Sequence, residues 1–170
     1  MKRQTFTKIK STGEYGQDPK ERTTTELINY GIVNIDKPKG PTSHQTSDYV
    51  KKILNIGKAG HSGTLDPAVT GVQPVAIGKA TRIAQFLLTA PKEYVCLMHI
   101  HKPTEEEKIR KTFEQFKGKI KQLPPIKSAV KRVERVREIY NLEILEIKDQ
   151  DVLFKVKCQA GTYIRKICSD

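Results

Sequence analysis

The chain has 170 residues, a length that suits one domain with a hydrophobic core of its own. Its 31 basic and 19 acidic residues give a formal net charge of +12, which favours a polyanionic partner, with nucleic acid as the first candidate. A membrane surface fits less well. The sequence contains no basic amphipathic helix with a strong apolar face and no apolar run long enough to span a bilayer.

The three cysteines, Cys96, Cys158 and Cys168, are odd in number and show no C-x-x-C spacing. We interpret them as reduced thiols of an intracellular protein, with neither a disulfide framework nor a zinc site. His99 and His101 are two residues apart and can share a strand face, but no third metal ligand is visible beside them, so we predict no metal site. The first ten residues contain no apolar run, and we expect no signal peptide.

Residues 1–29 are polar and show no sustained periodicity, so we expect an extension that is disordered or lies over a partner. A β-branched strand is predicted at residues 31–36, and the two prolines and the glycine of residues 37–41 predict a turn after it. A helix capped by Thr42 or Ser43 follows, because apolar residues then recur at helical spacing.

The stretch Gly60-His61-Ser62-Gly63-Thr64-Leu65-Asp66-Pro67 is the most informative part of the sequence. Two glycines, two hydroxyl residues and a histidine lead to a single carboxylate, Asp66, which a proline follows. Glycine permits close backbone approach and positive φ, so we expect a loop that presents Asp66 at its edge. Aspartate before proline is also typical of a helix N-terminus, and these residues alone leave that structural role open.

A buried strand is predicted at residues 72–77, and a short helix at residues 81–88. Between them, Gly78-Lys79-Ala80-Thr81 invites comparison with a phosphate-binding loop. The pattern G-x-x-x-x-G-K-[ST] fails, however, because the position five before Gly78 is Gln73 and because Ala80 follows Lys79.

Alternation predicts a strand at residues 92–101 with one buried side, formed by Tyr94, Cys96, Met98 and Ile100. Thr104-x-x-Glu107 predicts a capping box for a helix whose apolar stripe is Ile109, Phe113, Phe116 and Ile120. Residues 138–148 and 151–158 predict a hairpin that turns at Asp149-Gln150.

The segment from Lys117 to Arg137 is strongly basic, with eight Lys or Arg residues and a single acid, Glu134, around Pro124-Pro125. Such a segment can follow a phosphate backbone, and arginine also stacks on bases. A solvated charged face explains the same composition, and both interpretations stay open.

Four motifs occur along the chain in a characteristic order. They are Asp36-Lys37-Pro38-Lys39-Gly40-Pro41-Thr42-Ser43, the Gly60 to Pro67 stretch with Thr70-Gly71-Val72, Lys92-Glu93-Tyr94, and Gly161-Thr162-Tyr163-Ile164-Arg165. A further signature is Gln122-Leu123-Pro124-Pro125 with Ser128-Ala129-Val130-Lys131. Together these motifs resemble the TruB/dyskerin family of pseudouridine synthases, and the resemblance covers residues 25–170.

The resemblance implies an α+β fold, the pseudouridine synthase catalytic fold, with a mixed, mostly antiparallel sheet flanked by helices. It implies a polar extension at residues 1–29 and a partial catalytic domain at residues 30–170, and we expect the rest of that domain and a C-terminal PUA domain to be absent. The leader, Thr46-Ser47 and the run from Lys131 to Arg137 are similar to the archaeal and eukaryotic branch, which works in box H/ACA ribonucleoproteins.

The activity that the resemblance implies is isomerisation of specific uridines to pseudouridine in structured RNA. The target is the T-loop uridine 55 of tRNA, or guide-directed uridines of rRNA as the catalytic subunit of a box H/ACA ribonucleoprotein, or both. The expected partners are tRNA, rRNA, a box H/ACA guide RNA and small H/ACA accessory proteins, with no membrane, no metal and no cofactor. The expected location is the cytoplasm, or the nucleolus in a eukaryote. The alternative is a non-catalytic RNA-binding or assembly fragment of such a complex.

By resemblance, Asp66 is the carboxylate that attacks either the base or the sugar carbon. Arg165 would pair with Asp66 and keep it ionised and oriented. Tyr94 would stack on the flipped base and assist removal of the C5 proton, although a tyrosine packed in the core fits the same pattern.

The resemblance also assigns four residues to substrate binding. His61 matches a base-contacting histidine, with the role of spectator left open; Lys37 would brace the active-site loops, and Gly63 and Tyr163 would line the pocket. The residues expected to contact the RNA backbone are Lys127, Lys131, Arg132 and Arg135.

Overall fold

The computed structural model describes residues 18–125 and 130–170 and divides the chain into two units, one ending at Ala84 and the other beginning at Gln85. Both units combine short helices with antiparallel strands, so the predicted α+β class is confirmed. Every strand pair among the described residues is antiparallel, in a three-stranded and a four-stranded sheet. None of the described helices combines the length and the apolar character needed to cross a membrane.

The first unit is built on a three-stranded sheet with the strand order β1-β3-β2. Its strands are β1 (Ile32–Lys37), β2 (Ala59–His61) and β3 (Gly71–Ile77), and its helices are α1 (Thr24–Tyr30) and α2 (Ser43–Ile53). β1 pairs with β3 along its whole length, so that Lys37 lies opposite Gly71. The buried core of this unit is formed by Val50, Val75 and Ile77.

The start of α2 follows directly from its sequence. The side chain of Thr42 accepts a hydrogen bond from the Gln45 amide, and the Gln45 side chain accepts one from the Thr42 amide. This reciprocal capping box satisfies two amides that the helix itself leaves unpaired. The predicted cap at Thr42 is therefore confirmed.

The expectation of an unstructured extension is wrong for its last part, because residues 24–30 form α1. Thr23 and Glu26 build a capping box there, a helix start signal that apolar periodicity does not reveal. A short 3-10 helix, Pro19–Glu21, precedes α1. Residues 1–17 lie outside the described part of the chain.

The second unit is built on a four-stranded sheet with the strand order β4-β7-β6-β5. Its strands are β4 (Lys92–His99), β5 (Gly118–Gln122), β6 (Arg135–Lys148) and β7 (Asp151–Cys158). The helices are α3 (Ala84–Thr89), which begins in the first unit after a 3-10 helix at Gly78–Ile83, then α4 (Glu106–Gln115) and α5 (Ile164–Ser169). Residues from α4 and α5 share one buried cluster with β6 and β7, in which Phe113 meets Phe154 edge-to-face at 5.2 Å.

Two predictions about α4 are wrong. The N-cap is Glu105 and makes no side-chain capping bond, while the Thr104 hydroxyl donates to the Lys102 carbonyl instead. Ile120 is not part of the helix stripe but lies in β5. The helix ends earlier because Gly118 adopts a φ of +84°, a conformation that suits glycine and turns the chain into the strand.

Candidate active site

The loop between β2 and β3 presents Asp66 in a tight turn. The Val69 amide donates to the Asp66 carbonyl at 3.0 Å, and Pro67 occupies the second position of this turn, where its fixed φ is favoured. No helix begins at this place, so the alternative of a helix N-cap is wrong. Asp66 is half-buried at the turn.

Lys37 holds this loop from beneath. Its side chain is fully buried, and the ammonium donates to the carbonyls of Val69 at 2.9 Å and Asp66 at 3.3 Å, with Pro67 at 3.5 Å. The same ammonium also donates to the carbonyl of Pro38 at 3.0 Å. A buried cation is tolerated only when its hydrogens are satisfied, and here main-chain oxygens do this. The predicted bracing role of Lys37 thus agrees with its hydrogen bonds.

Ser43, the first residue of α2, fixes the other side of the Asp66 loop. Its hydroxyl accepts from the Leu65 amide at 2.9 Å and donates to the Leu65 carbonyl at 3.2 Å. The buried amide of Gln73 donates in turn to the Ser43 carbonyl at 2.9 Å. In the sequence, Ser43 is only a candidate cap and Gln73 carries no sign of this role, because nothing local marks a contact across 22 to 30 residues.

Two predicted substrate-binding residues, His61 and Gly63, meet within the same loop. The Nδ1 atom of His61 lies 2.7 Å from the Gly63 carbonyl oxygen. Because a carbonyl only accepts, Nδ1 carries the hydrogen, which leaves Nε2 of the neutral ring as an acceptor. Gly63 has a φ of +121°, which a residue with a side chain adopts only under strain.

Tyr94 lies on β4 opposite Val156 and is half-buried against the core cluster of the second unit. It therefore contributes to packing, and its contact with a flipped base stays a prediction.

Lys92, two residues earlier, donates to the carbonyls of Leu87 at 2.9 Å and Ala90 at 2.7 Å. Burial lowers the pKa of this lysine. These bonds fasten the start of β4 to the end of α3.

Tyr163 and Arg165 lie at the start of α5, where a buried glutamine holds the chain. Gln122 donates to the Tyr163 carbonyl at 3.0 Å and accepts from the Tyr163 amide at 3.0 Å. Only 3% of Gln122 is exposed, so this reciprocal pair is shielded from water. In the sequence, Gln122 belongs to a family signature but has no predicted role. Arg165, in the first turn of α5, is exposed.

The residues predicted to contact the RNA backbone differ in their surroundings. Lys131 and Arg132 are exposed, while Arg135 is half-buried at the start of β6 and lies 3.5 Å from the Lys131 carbonyl. Lys127 lies outside the described residues. Elsewhere in this segment, Lys121 forms a surface ion pair with Glu134 at 3.3 Å. The charges are thus partly used within the protein, which is compatible with either interpretation of the segment.

The structure brings together, around one loop of the first unit, Lys37, His61, Gly63 and Asp66. Tyr94, Tyr163 and Arg165 belong to the second unit, so the pairing of Arg165 with Asp66 stays a prediction. Among the residues that the structure describes, no three His, Cys, Asp or Glu side chains are arranged to hold a metal ion. His99 forms a hydrogen bond with Asp151 at 2.7 Å instead.

Two family models match the chain. The model described as TruB family pseudouridylate synthase (N terminal domain) matches residues 51–164, and the DKCLD (NUC011) domain matches residues 1–47. The first match covers well over half of the chain and includes Asp66, Tyr94 and Tyr163. The chain therefore belongs to the TruB family of pseudouridylate synthases.

Individual relatives agree with this assignment. The chain is 56% identical over 162 residues to a probable tRNA pseudouridine synthase B of Methanocaldococcus jannaschii, which covers 95% of this chain and 48% of the relative. It is 57% identical over 157 residues to the protein of the same description from Methanothermobacter thermautotrophicus. This alignment covers 92% of the present chain and 48% of that relative. The chain thus spans about half the length of these relatives.

Solved structures show the same similarity. A chain in the crystal structure of a Cbf5-Nop10-Gar1 complex has a TM-score of 0.88 and 53% identity, over 91% of this chain and 47% of that one. A chain in the structure of an H/ACA RNP bound to a substrate RNA containing 2'-deoxyuridine has a TM-score of 0.82 and 47% identity, over 93% and 47%.

Proposed function

We propose that this protein isomerises specific uridines of structured RNA to pseudouridine, with Asp66 as the carboxylate that performs the chemistry. The observation that carries the proposal is the fixed Asp66 loop. Lys37 and Ser43 together bind the main chain at Leu65, Asp66 and Val69, so the carboxylate leaves the loop from an immobilised backbone. Such preorganisation is what a positioned nucleophile requires.

The reaction breaks the bond between N1 of uracil and the sugar carbon and joins C5 to the same carbon. The C5 proton is lost and N1 gains one, so the product is an isomer of the substrate. The Asp66 carboxylate attacks the base or the sugar carbon and leaves again when the new bond has formed. Attack requires the ionised carboxylate, and we assign to Arg165 the role of pairing with it.

The surrounding residues have supporting roles in this proposal. His61 offers Nε2 as an acceptor to the base, because its Nδ1 is bound to Gly63. Tyr94 stacks on the base that has left the RNA helix, which offsets part of the few kcal/mol that flipping costs. Tyr163, held by Gln122, lines the pocket beside Arg165.

The proposed substrates are tRNA and rRNA, and the proposed partners are a box H/ACA guide RNA and small accessory proteins. The net charge of +12 suits RNA, and the relatives named above include a tRNA pseudouridine synthase and a chain from a complex with Nop10 and Gar1. We also propose a cytoplasmic location, where tRNA and rRNA are accessible in an archaeal cell.

A second candidate function is a non-catalytic RNA-binding or assembly subunit of such a complex. It is favoured by the net charge of +12, because a basic surface binds the phosphates of RNA without any chemistry on the bases. It does not explain why the Asp66 loop is fastened by a buried lysine.

The test maps pseudouridine in tRNA and rRNA transcripts, with and without an H/ACA guide RNA. It uses this chain and a chimera in which the chain replaces the corresponding half of the Methanocaldococcus jannaschii relative. We expect pseudouridine from the chimera at defined positions. RNA binding by both proteins without product from either would contradict the proposed enzymatic function and favour the non-catalytic one.

A further inference from the structure

A second feature of the first unit lies outside the Asp66 loop. A pocket of about 320 Å³ opens beside the 3-10 helix that follows β3, and we name it the basic pocket. Three of the side chains that line it are cationic, namely Lys58, Lys79 and Arg82. The neutral side chains of Asn29 and Thr81 also line it. No acidic side chain of the described residues lines it.

The charges of the basic pocket are not neutralised by the described part of the protein. Lys58, Lys79 and Arg82 are all exposed, and no ion pair among the described residues involves any of them. Lys79 donates to the hydroxyl of Tyr30 at 2.9 Å and lies 5.2 Å from the ring centroid. This neutral partner orients the ammonium and leaves its charge in place. Three like charges around one concavity favour an anion.

The backbone beneath the basic pocket is fastened. The Gly78 amide donates to the Lys58 carbonyl at 2.8 Å, which joins the two segments that carry the lysines. The Thr81 hydroxyl donates to the Gly78 carbonyl at 3.1 Å and fixes the next turn. The main-chain positions that carry the cations are therefore held in place, which reduces the entropy that binding an anion would cost.

The basic pocket is also connected to the Asp66 loop. Lys58 immediately precedes β2, and His61, the last residue of β2, begins the loop that contains Asp66. A strand of three residues spans about 10 Å, so the pocket and the start of the loop lie at opposite ends of one short strand. β3 runs from Gly71, which lies opposite Lys37, to Ile77 beside the pocket, and a strand of seven residues spans about 23 Å. An RNA strand with its target uridine at Asp66 would therefore reach the pocket with a phosphate several nucleotides away.

We propose that the basic pocket binds one backbone phosphate of the RNA substrate through Lys58, Lys79 and Arg82. The proposal rests on the proposed function, since it takes RNA as the substrate. Here side chains supply the positive charge, unlike in a phosphate-binding loop, where backbone amides of a glycine-rich turn do so. Free inorganic phosphate has the same chemistry, and the experiment separates the two sources.

The test compares two triple variants of the intact chain. Lys58→Gln, Lys79→Gln and Arg82→Gln remove the pocket charges, whereas Lys102→Gln, Lys108→Gln and Lys111→Gln remove three exposed charges before and on α4. The affinity for a tRNA transcript is measured from about 50 to 200 mM salt. We expect the pocket variant to reduce the slope of log K against log salt by about one, the value for one lost phosphate contact, and the control to leave it unchanged. Equal slopes in the two variants would overturn the proposal.

Two further measurements complete the test. Circular dichroism compares the folding of the variants, and Arg82→Gln alone, which leaves the Tyr30 contact intact, replaces the triple variant if that variant does not fold. Calorimetry with inorganic phosphate is expected to show no saturable binding at millimolar concentration. Saturable phosphate binding that the pocket variant loses, with an unchanged salt slope for RNA, would assign the pocket to free phosphate and overturn the proposal.

The proposed phosphate site and the proposed enzymatic function can be rejected independently of each other. Asp66→Ala is expected to retain the wild-type salt slope, because the slope reports contacts between cationic side chains and backbone phosphates, and this substitution removes no cation. A reduced slope in the pocket variant without pseudouridine from any protein would leave the pocket as an RNA contact and reject the enzyme. Pseudouridine formation with an unchanged slope would reject the pocket alone.

Discussion

The buried ammonium of Lys37 donates a hydrogen bond to the main-chain carbonyl of Asp66, 29 residues further along the chain. The contact joins two motifs that the sequence shows separately, the turn after β1 and the loop after β2. It binds the backbone of Asp66 and not its carboxylate. The main chain that carries this carboxylate is therefore held in place.

Lys37→Met is expected to lower the free energy of unfolding by about 2–3 kcal/mol, since it leaves buried carbonyl oxygens without their charged donor. Equilibrium denaturation measures the change. Lys39→Met is the matched control, because Lys39 lies in the turn that follows β1 and is exposed. Equal stability of the two variants would contradict the bracing role of Lys37.

Gly78→Ala is expected to destabilise the first unit by about 3 kcal/mol. Gly78 has a φ of +56°, and a Cβ there would overlap the carbonyl oxygen of Asn29 and lie 2.9 Å from its Cα. Thermal unfolding of Gly78→Ala and Gly57→Ala gives the comparison, since a Cβ at Gly57 meets no atom within 4 Å. A cost at Gly57 as large as at Gly78 would contradict the packing of α1 against this turn.

Gln122→Ala is expected to release the start of α5. The Tyr163 amide loses its acceptor and the Tyr163 carbonyl its donor, so hydrogen exchange at Tyr163 should accelerate and stability should fall by about 2 kcal/mol. Gln115→Ala, at an exposed position of α4, is the control. Unchanged protection of the Tyr163 amide in Gln122→Ala would show that Gln122 does not position this segment.

Cys96 is expected to resist alkylation in the folded protein. Burial raises the pKa of the thiol from 9.0 to about 11, so at pH 9 the folded protein contains little of the reactive thiolate. The unfolded chain ionises first, and stability should therefore fall as the pH rises from about 9 to about 11. Iodoacetamide labelling at pH 9, with and without denaturant, checks this. Equal labelling rates would contradict the burial of Cys96.

Local patterns predicted much of the fold. The strand at β1, the cap at Thr42 and the hairpin of β6 and β7 follow from side-chain alternation, capping chemistry and turn residues that are close in sequence. The same kind of reasoning failed at Thr104-x-x-Glu107, because a capping pattern describes what residues can do and not which of two adjacent positions begins the helix.

The candidate site was predicted less completely. The motif around Asp66 indicated the loop and the family resemblance indicated Lys37 as its brace, but the contributions of Ser43 and Gln73 were found only in the structure. Ser43 reaches Leu65 and Gln122 reaches Tyr163 across 22 and 41 residues, and such contacts depend on the tertiary fold. The composition predicted a basic surface for a polyanionic partner. The cluster of Lys58, Lys79 and Arg82 could not be predicted, because these residues are separated in sequence and converge only in the folded chain.

The most direct test of the central claim introduces Asp66→Asn into whichever protein forms pseudouridine, the chain itself or the chimera, and compares it with the unsubstituted protein. Product formation and RNA affinity are measured together. Asparagine keeps the size of the side chain and removes the nucleophilic carboxylate. We predict no detectable pseudouridine and an RNA affinity within about twofold of wild type, because phosphate contacts dominate affinity. Pseudouridine at the wild-type rate, or an equal loss of product and of affinity, would contradict the assignment of the chemistry to Asp66.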